Sequence, residues 1–209
     1  MRTQWLRAWN DRGFRICIWS GLLTGIPVIV LLPRFFALIE NTPGVPLNDP
    51  VLAAIGPVEV SAITFGILYS LVLFGIFHLA REPLRFVRML HAYVVLLLLR
   101  MITMYTVTLE PPASIIPLID PITQLFYPAE EPFLKDLFFS GHTATLMLFA
   151  IAVGRGRSQA LIGTGAVVVG FLVLLQHVHY TVDVLAAPFF ATLAWMLASA
   201  TTKACRAAA

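Results

Sequence analysis

The chain has 209 residues, of which 59% are hydrophobic and only 12% charged, with a mean hydropathy of +0.86. That composition excludes an ordinary soluble globular domain and places the chain among polytopic, all-α membrane proteins. The net charge is +3, but the basic residues are dispersed among segments flanking apolar runs, which argues against a nucleic-acid partner. Cys17 and Cys205 lie near opposite ends of the chain, so neither a disulfide framework nor a thiolate metal site is expected.

A helix crossing a hydrocarbon layer of about 30 Å needs about 20 apolar residues. Six runs meet or approach that length: Ile16 to Phe36, Val60 to Ala80, Phe86 to Leu109, Leu137 to Gly154, Ala160 to Gln176, and Asp183 to Ala200. Pro27 and Pro188 lie inside two of them and are read as kinks rather than ends. The first run lacks a small-residue cleavage site and outlasts a signal-peptide core, so it is read as a retained span. The expectation is one catalytic domain over residues 1–209, built as a bundle of six transmembrane helices.

Arginine and lysine set the orientation, because cytoplasmic loops are enriched in them. Arg2, Arg7, Arg12 and Arg15 precede the first run; Arg81, Arg85 and Arg88 mark the second connection; Arg155 and Arg157 mark the fourth; Lys203 and Arg206 end the chain. With six spans these regions share one side, against only Arg34 and Lys135 on the other. Both termini are therefore expected to be cytoplasmic.

Two polar interruptions then fall at the extracytoplasmic face: Ser140-Gly141-His142-Thr143 at the start of the fourth run, and His177-Val178-His179-Tyr180-Thr181-Val182-Asp183 between the fifth and sixth. Ionisable residues are costly in a bilayer unless they face a cavity and a partner, so these stretches mark a candidate reaction site. His179 and Asp183 are four apart. On one helical face the carboxylate can hold one imidazole nitrogen and leave the other free, giving a positioned nucleophile or base. His142 follows Gly141 at a helix N-terminus, where backbone amides favour an anion such as a phosphoryl group. One histidine attacking phosphorus while the other protonates the leaving alkoxide is a complete phosphoryl-transfer scheme without a metal. Asp136, Glu130 and Glu131 do not fall at ligand-like spacing, so no metal or other cofactor is expected. His78 and His91, on the opposite side, are assigned structural roles, and His177 a peripheral one. Arg100 lies on the order of 15 Å inward from Glu110 along the third run, too deep to face lipid unpaired. A buried carboxylate, a phosphate, or snorkelling to the surface each satisfies it.

These residues resemble the sphingomyelin synthase family, within the lipid phosphatase and phosphotransferase superfamily of type 2 phosphatidic acid phosphatases. The resemblance is carried by Ser140-Gly141-His142-Thr143, by His179-Tyr180-Thr181-Val182-Asp183-Val184, and by the Arg-x-Ile-Thr-Met-Tyr-x-x-Thr-Leu stretch from Arg100 to Leu109. It covers residues 100–187. The resemblance implies His179 as the nucleophile that forms a phosphohistidine, Asp183 as its orienting carboxylate, and His142 as acid and then base. Arg100, Ser140, Gly141, Thr143 and Tyr180 are expected at the phosphate, with Asp136 and Tyr105 in support. The implied reaction moves a phosphocholine- or phosphoethanolamine-type head group from a glycerophospholipid to a lipid alcohol such as ceramide and releases diacylglycerol.

The chain departs from that pattern in several places. The loop from Pro111 to Leu137 is short, no separate helical domain precedes the first run, and arginine outnumbers lysine twelve to two, which suggests a bacterial member at an inner membrane. The Lys-x6-Arg-Pro motif of the wider superfamily is absent, and Val173 stands six before His179 where those enzymes place an arginine. Phe126, Tyr127, Glu130, Glu131 and Phe133 cluster in the outer loop, where acids and rings suit an ammonium head group and equally an interfacial aromatic anchor. A hydrolase using water as acceptor needs the same histidines and is the competing class. A channel or transporter would spread polar residues along a path, whereas here they gather at one face. Membrane lipids are the expected substrates, and the oligomeric state, a homo-oligomer included, is left open.

Overall fold

The computed structural model describes residues 1–120 and 133–207, with side chains to residue 203. Every element in these residues is a helix: α1 (Arg2–Asn10), α2 (Arg12–Glu40), α3 (Pro50–Ala54), α4 (Ser61–Leu79), α5 (Pro83–Thr106), α6 (Gly141–Val153), α7 (Arg157–Leu175) and α8 (Thr181–Ala207). Helix is the form an apolar chain takes when its peptide groups must be satisfied without water. Five helices, α2, α4, α5, α7 and α8, are long and apolar enough to cross a membrane. The sixth, α6, is apolar but has only 13 residues, about 20 Å of rise.

Helix boundaries differ from the apolar runs where capping chemistry overrides hydropathy. Asp11 accepts from the Gly13 amide at 2.8 Å and so starts α2 four residues before its apolar run. Ser140 caps α6, so the apolar residues Leu137 to Phe139 enter the core as non-helical chain. Both α2 and α8 continue through Pro27, Pro33 and Pro188. The two short helices α1 and α3 have no counterpart among the apolar runs.

Helix α6, 13 residues long, is largely enclosed. Packed among α4, α5, α7 and α8, α6 buries Ala144, Leu146 and Leu148 completely. On α8, Ala187, Ala191, Ala194 and Ala198 repeat at helical spacing and are all 0% exposed, so small side chains let this helix approach α5 and α6 closely. At one end of the bundle, Trp5 of α1 donates to the Ala80 carbonyl at 2.7 Å and packs edge-on against Phe14 and Phe86. Arg88 stacks on Trp195 at the same end.

At the other end, the segment 41–60 between α2 and α4 is strapped across the loops by its own backbone. The Val45 amide donates to the Thr108 carbonyl and the Glu110 amide to the Val45 carbonyl, both at 3.1 Å. A Cβ at Gly44 would stand 2.6 Å from the Leu109 carbonyl carbon, so only glycine lets these backbones touch. Glu110 accepts from the Gly44 amide at 2.7 Å and from the Lys135 ammonium at 2.8 Å. Further on, the Val58 amide donates to the Leu175 carbonyl at 2.9 Å.

Gln176, fully buried, fastens three segments. Its amide nitrogen donates to Ser61 Oγ at 2.8 Å and to the Pro117 carbonyl at 3.2 Å, while Oε1 accepts from the Val60 amide at 3.2 Å. Replacing it with leucine keeps the volume and orphans those partners, each at a cost of about 1–3 kcal/mol. Gln176→Leu is therefore expected to lower stability by roughly 2–4 kcal/mol, read as the shift in thermal or denaturant unfolding of the detergent-solubilised protein; an unchanged midpoint contradicts the assignment.

Candidate active site

The turn that presents His179 is built by the way α7 ends. His177 adopts a left-handed conformation, φ 58°, while its amide donates to the Leu174 carbonyl and the Val178 amide donates to the Val173 carbonyl. This is the hydrogen-bond pattern of a Schellman terminator, with histidine where glycine is usual. The conformation costs a non-glycine residue roughly 1–2 kcal/mol, and the side chain offsets it by latching outward. Its Nε2 meets the Ile55 carbonyl at 3.1 Å and its Nδ1 meets Ser114 Oγ at 2.6 Å. Both nitrogens are thus engaged with loops, in keeping with the peripheral role expected of His177.

His179 follows two residues later, 2% exposed, and Asp183 is fully buried in the first turn of α8. Helix α8 begins at Thr181, so His179 projects from the turn before the helix rather than from the helix itself. Its Nδ1 lies 3.5 Å from Asp183 Oδ2, an ion-pair contact without a hydrogen bond, while Asp183 Oδ2 accepts from the Tyr180 amide at 3.0 Å. Facing it from α6, the ring of His142 is 6.2 Å away between centroids and inclined at 64°. Three buried polar atoms converge here without a hydrogen-bond partner among the described residues: His142 Nδ1, His179 Nδ1 and Asp183 Oδ1. Orphaned buried polar atoms are rare in folded proteins and concentrate where a ligand or a proton is handled.

The two motifs are joined by their backbones. The Ser140 amide donates to the Asp183 carbonyl at 3.1 Å. Ser140 Oγ in turn caps α6 by accepting from the Thr143 amide at 3.5 Å and donates to Thr143 Oγ1 at 3.2 Å. Ser140 and Thr143 are buried at 0% and 4%, so their hydroxyls organise the helix start on which His142 stands. Tyr180 has a comparable task, since its hydroxyl donates to the Glu110 carbonyl at 3.0 Å and accepts from the Leu47 amide at 3.2 Å.

Arg100 comes up from α5 to the same place, 6% exposed, and forms an ion pair with Asp136. The carboxylate is the partner its depth required. A Cβ on Gly141 would lie 1.8 Å from Arg100 Nη1, so the guanidinium lies directly against the start of α6, one residue from His142. Thr103, a turn later on α5, donates to the Phe138 carbonyl at 3.0 Å and holds the entry to α6. Tyr105 is 66% exposed on α5, outside this buried cluster. Glu130, Glu131, Tyr127 and Phe126 lie outside the described residues, and Phe133 packs on Phe36 with centroids 5.5 Å apart.

Several neighbours of the histidines have no signal in the sequence. Phe65 of α4 meets the His142 ring edge-on at 5.7 Å and stacks on Tyr69, whose hydroxyl bonds to Asp120. His142 lies within the fields of His179, Asp136, Arg100 and Asp120. Asp49 ties the strap to the site, because Oδ2 accepts from the Thr181 amide at 2.6 Å and Oδ1 from the Thr181 hydroxyl at 3.1 Å. The same Oδ1 caps α3 by accepting from the Val51 amide at 2.9 Å. An acid before proline in an apolar chain is a detectable helix-cap signal; its second helix start is not. Among the described residues no group of three histidines, cysteines or carboxylates is placed to hold a metal ion.

Partial burial raises the Asp49 carboxyl pKa, and the hydrogen bonds from Thr181, Leu52 and Val51 outweigh it, holding the group below its ordinary 3.8. A depressed carboxyl contributes stability that is full above the unfolded value and lost as pH falls through the folded one. Acidification below about pH 4 is thus expected to loosen the Thr181 amide, seen as faster hydrogen exchange there. Asp49→Asn is expected to show that faster exchange already at neutral pH; unchanged protection in the variant contradicts the tie.

Residues 135–200 match the PAP2 superfamily C-terminal family, a stretch that holds Asp136, the Ser140–Thr143 cap, His179 and Asp183 together. No curated protein matches the chain significantly. Over that stretch the chain is similar to the type 2 phosphatidic acid phosphatase superfamily, a superfamily of lipid phosphatases and phosphotransferases.

Proposed function

We propose that the protein is a membrane lipid phosphotransferase that moves a phosphorylated head group from a glycerophospholipid to a lipid alcohol through a phosphohistidine, in the manner of the sphingomyelin synthases. The observation that carries the reading is the facing pair His142 and His179, with Asp183 3.5 Å behind His179 and a buried unpartnered polar atom on each of the three residues. Asp183 faces Nδ1, which leaves Nε2 as the attacking nitrogen. In the first step the Nε2–P bond forms, the bond from phosphorus to the diacylglycerol oxygen breaks, and His142 gives that oxygen its proton. In the second, His142 takes the proton of the acceptor hydroxyl, the new O–P bond forms, and the N–P bond breaks.

The transferred phosphate rests against the start of α6, where the Gly141 backbone, the first-turn amides and Arg100 provide positive potential. Arg100 serves both Asp136 and the phosphate in this reading, Asp136 holding the guanidinium in place. Six spans are supported by the sixth apolar helix, α6, within the bundle, and by basic residues at alternate connections. With that count both termini are cytoplasmic and the histidines face the extracytoplasmic side of a bacterial inner membrane. A lipid alcohol such as ceramide is the acceptor that the sphingomyelin synthase resemblance implies, with water as the alternative acceptor. For the head group, phosphocholine and phosphoethanolamine fit alike.

The test is reconstitution with phosphatidylcholine or phosphatidylethanolamine labelled in the head group, with and without ceramide or diacylglycerol, followed by separation of the products. A new head-group-bearing lipid is expected only with acceptor present; soluble head-group phosphate alone identifies a hydrolase and overturns the transferase reading. His179→Ala is expected to remove turnover by a factor of at least about 10³, and His142→Ala by about 10²–10⁴. Arg100→Leu retaining full turnover contradicts its role at the phosphate.

A further inference from the structure

We propose that the end of the bundle opposite the histidines carries a second anion site, built by Arg85, Arg88 and Lys203, which takes a phosphate-bearing group. The three line a cavity of about 210 Å³ between α2, α5 and α8. Thr202 at its rim follows Asp183 by nineteen residues along α8, a rise of about 28 Å, and Arg88 precedes Arg100 by three turns on α5. The cavity is therefore separate from the reaction site by nearly the thickness of a bilayer core.

The charges in it are unbalanced. Among the described residues no carboxylate lines the cavity, and Arg88 meets only neutral hydrogen-bonding and ring partners there: the Trp195 ring at 3.9 Å, the Trp195 carbonyl at 3.2 Å and the Ser199 hydroxyl, its buried Nε–H having no acceptor among them. Arg85 pairs with Glu82 at 3.1 Å, but both side chains are nearly half exposed, so water screens that pair and it compensates little for the others. Arg88 is partly buried with its Nε–H enclosed, while Arg85 and Lys203 are exposed at the cavity's edge, and a phosphate there accepts charge-assisted hydrogen bonds from all three. Ser199 and Thr202 add hydroxyls, and Phe14, Leu84 and Val87 supply apolar walls.

Size narrows the ligand. Pockets that enclose a whole small molecule run to roughly 300–1,000 Å³, so this one admits a phosphate head rather than a whole lipid. Leu84 is 50% exposed at the edge, where acyl chains would leave along the bundle surface. Basic pockets between membrane helices recognise anionic phospholipids by this chemistry. An anionic phospholipid and free phosphate share it, and the experiment separates them.

The full chain in neutral detergent is titrated with short-chain phosphatidylglycerol, short-chain phosphatidylcholine or inorganic phosphate, with binding counted by native mass spectrometry and thermal unfolding followed in parallel. Phosphatidylglycerol is expected to bind and raise the unfolding midpoint, and the Arg85→Gln/Lys203→Gln variant to weaken it about tenfold. Competition by inorganic phosphate identifies free phosphate as a ligand of the site; its failure to compete identifies the lipid. Equal affinity in wild type and variant, or no binding of either anion, overturns the proposal. Lys203→Glu alone, an exposed change, repeats the test should the double variant not fold. Binding rather than turnover is read, so this result stands apart from that of the transferase assay.

Discussion

The hydrogen bond from the Ser140 amide to the Asp183 carbonyl is the contact on which the arrangement depends. It binds the start of α6 to the start of α8, and each start carries one of the two histidines' supports: Ser140 caps the helix bearing His142, and Asp183 stands behind His179. Both residues are fully buried, so the bond works in a low-dielectric setting where leaving either group unpaired is expensive. Everything around it restrains the same two helix starts. Arg100 lies against Gly141, Thr103 holds the Phe138 carbonyl, Asp49 holds Thr181, and Tyr180 bonds to the strap and to residue 110. The small-residue stripe of α8 then fixes its distance from α5 and α6 along the whole length of the bundle.

This division of labour explains why so few polar residues suffice. Each of the three residues assigned to the proposed reaction keeps one unpartnered buried atom, and the surrounding polar side chains are largely committed to backbone. Ser140 and Thr143 spend their hydroxyls on a helix cap, His177 latches two loops, and Gln176 fastens three segments. Only His142, His179 and Asp183 keep buried unpartnered atoms within the cluster. In the proposed reaction, preorganisation of this kind lets charge develop on phosphorus and on the leaving oxygen without reorganising water.

Much of this was legible in the sequence, because oily runs and polar interruptions are strong signals. The positions of His142, His179 and Asp183 follow from their spacing, and of the partners open to Arg100 the structure shows a carboxylate, the partly exposed Asp136. What escaped was made by backbone or by distance along the chain. The segment 41–60 has no hydrophobic period, and its hold on the histidine end of the bundle comes mainly from amides and carbonyls, which any residue supplies. Gln176 reads as the mere end of an apolar run, although its side chain reaches residues about 60 and 115 positions away. Phe65 approaches His142 only through the packing of α4 on α6, and Asp120 is held nearby by the Tyr69 hydroxyl of α4, which no local pattern encodes. Helix α6 also falls short of the apolar run that announced it, since a serine cap outranks three preceding hydrophobic residues in deciding where a helix starts.

The central claim is that His179 carries the head-group phosphate between donor and acceptor. It is tested most directly by incubating the purified protein with donor lipid labelled at the head-group phosphorus, without acceptor, quenching in alkali, and locating the label by peptide mass spectrometry. The account predicts an alkali-stable, acid-labile adduct on His179 that disappears when a lipid alcohol is added. Turnover with no label on the protein, or a label that persists in His179→Ala, contradicts it.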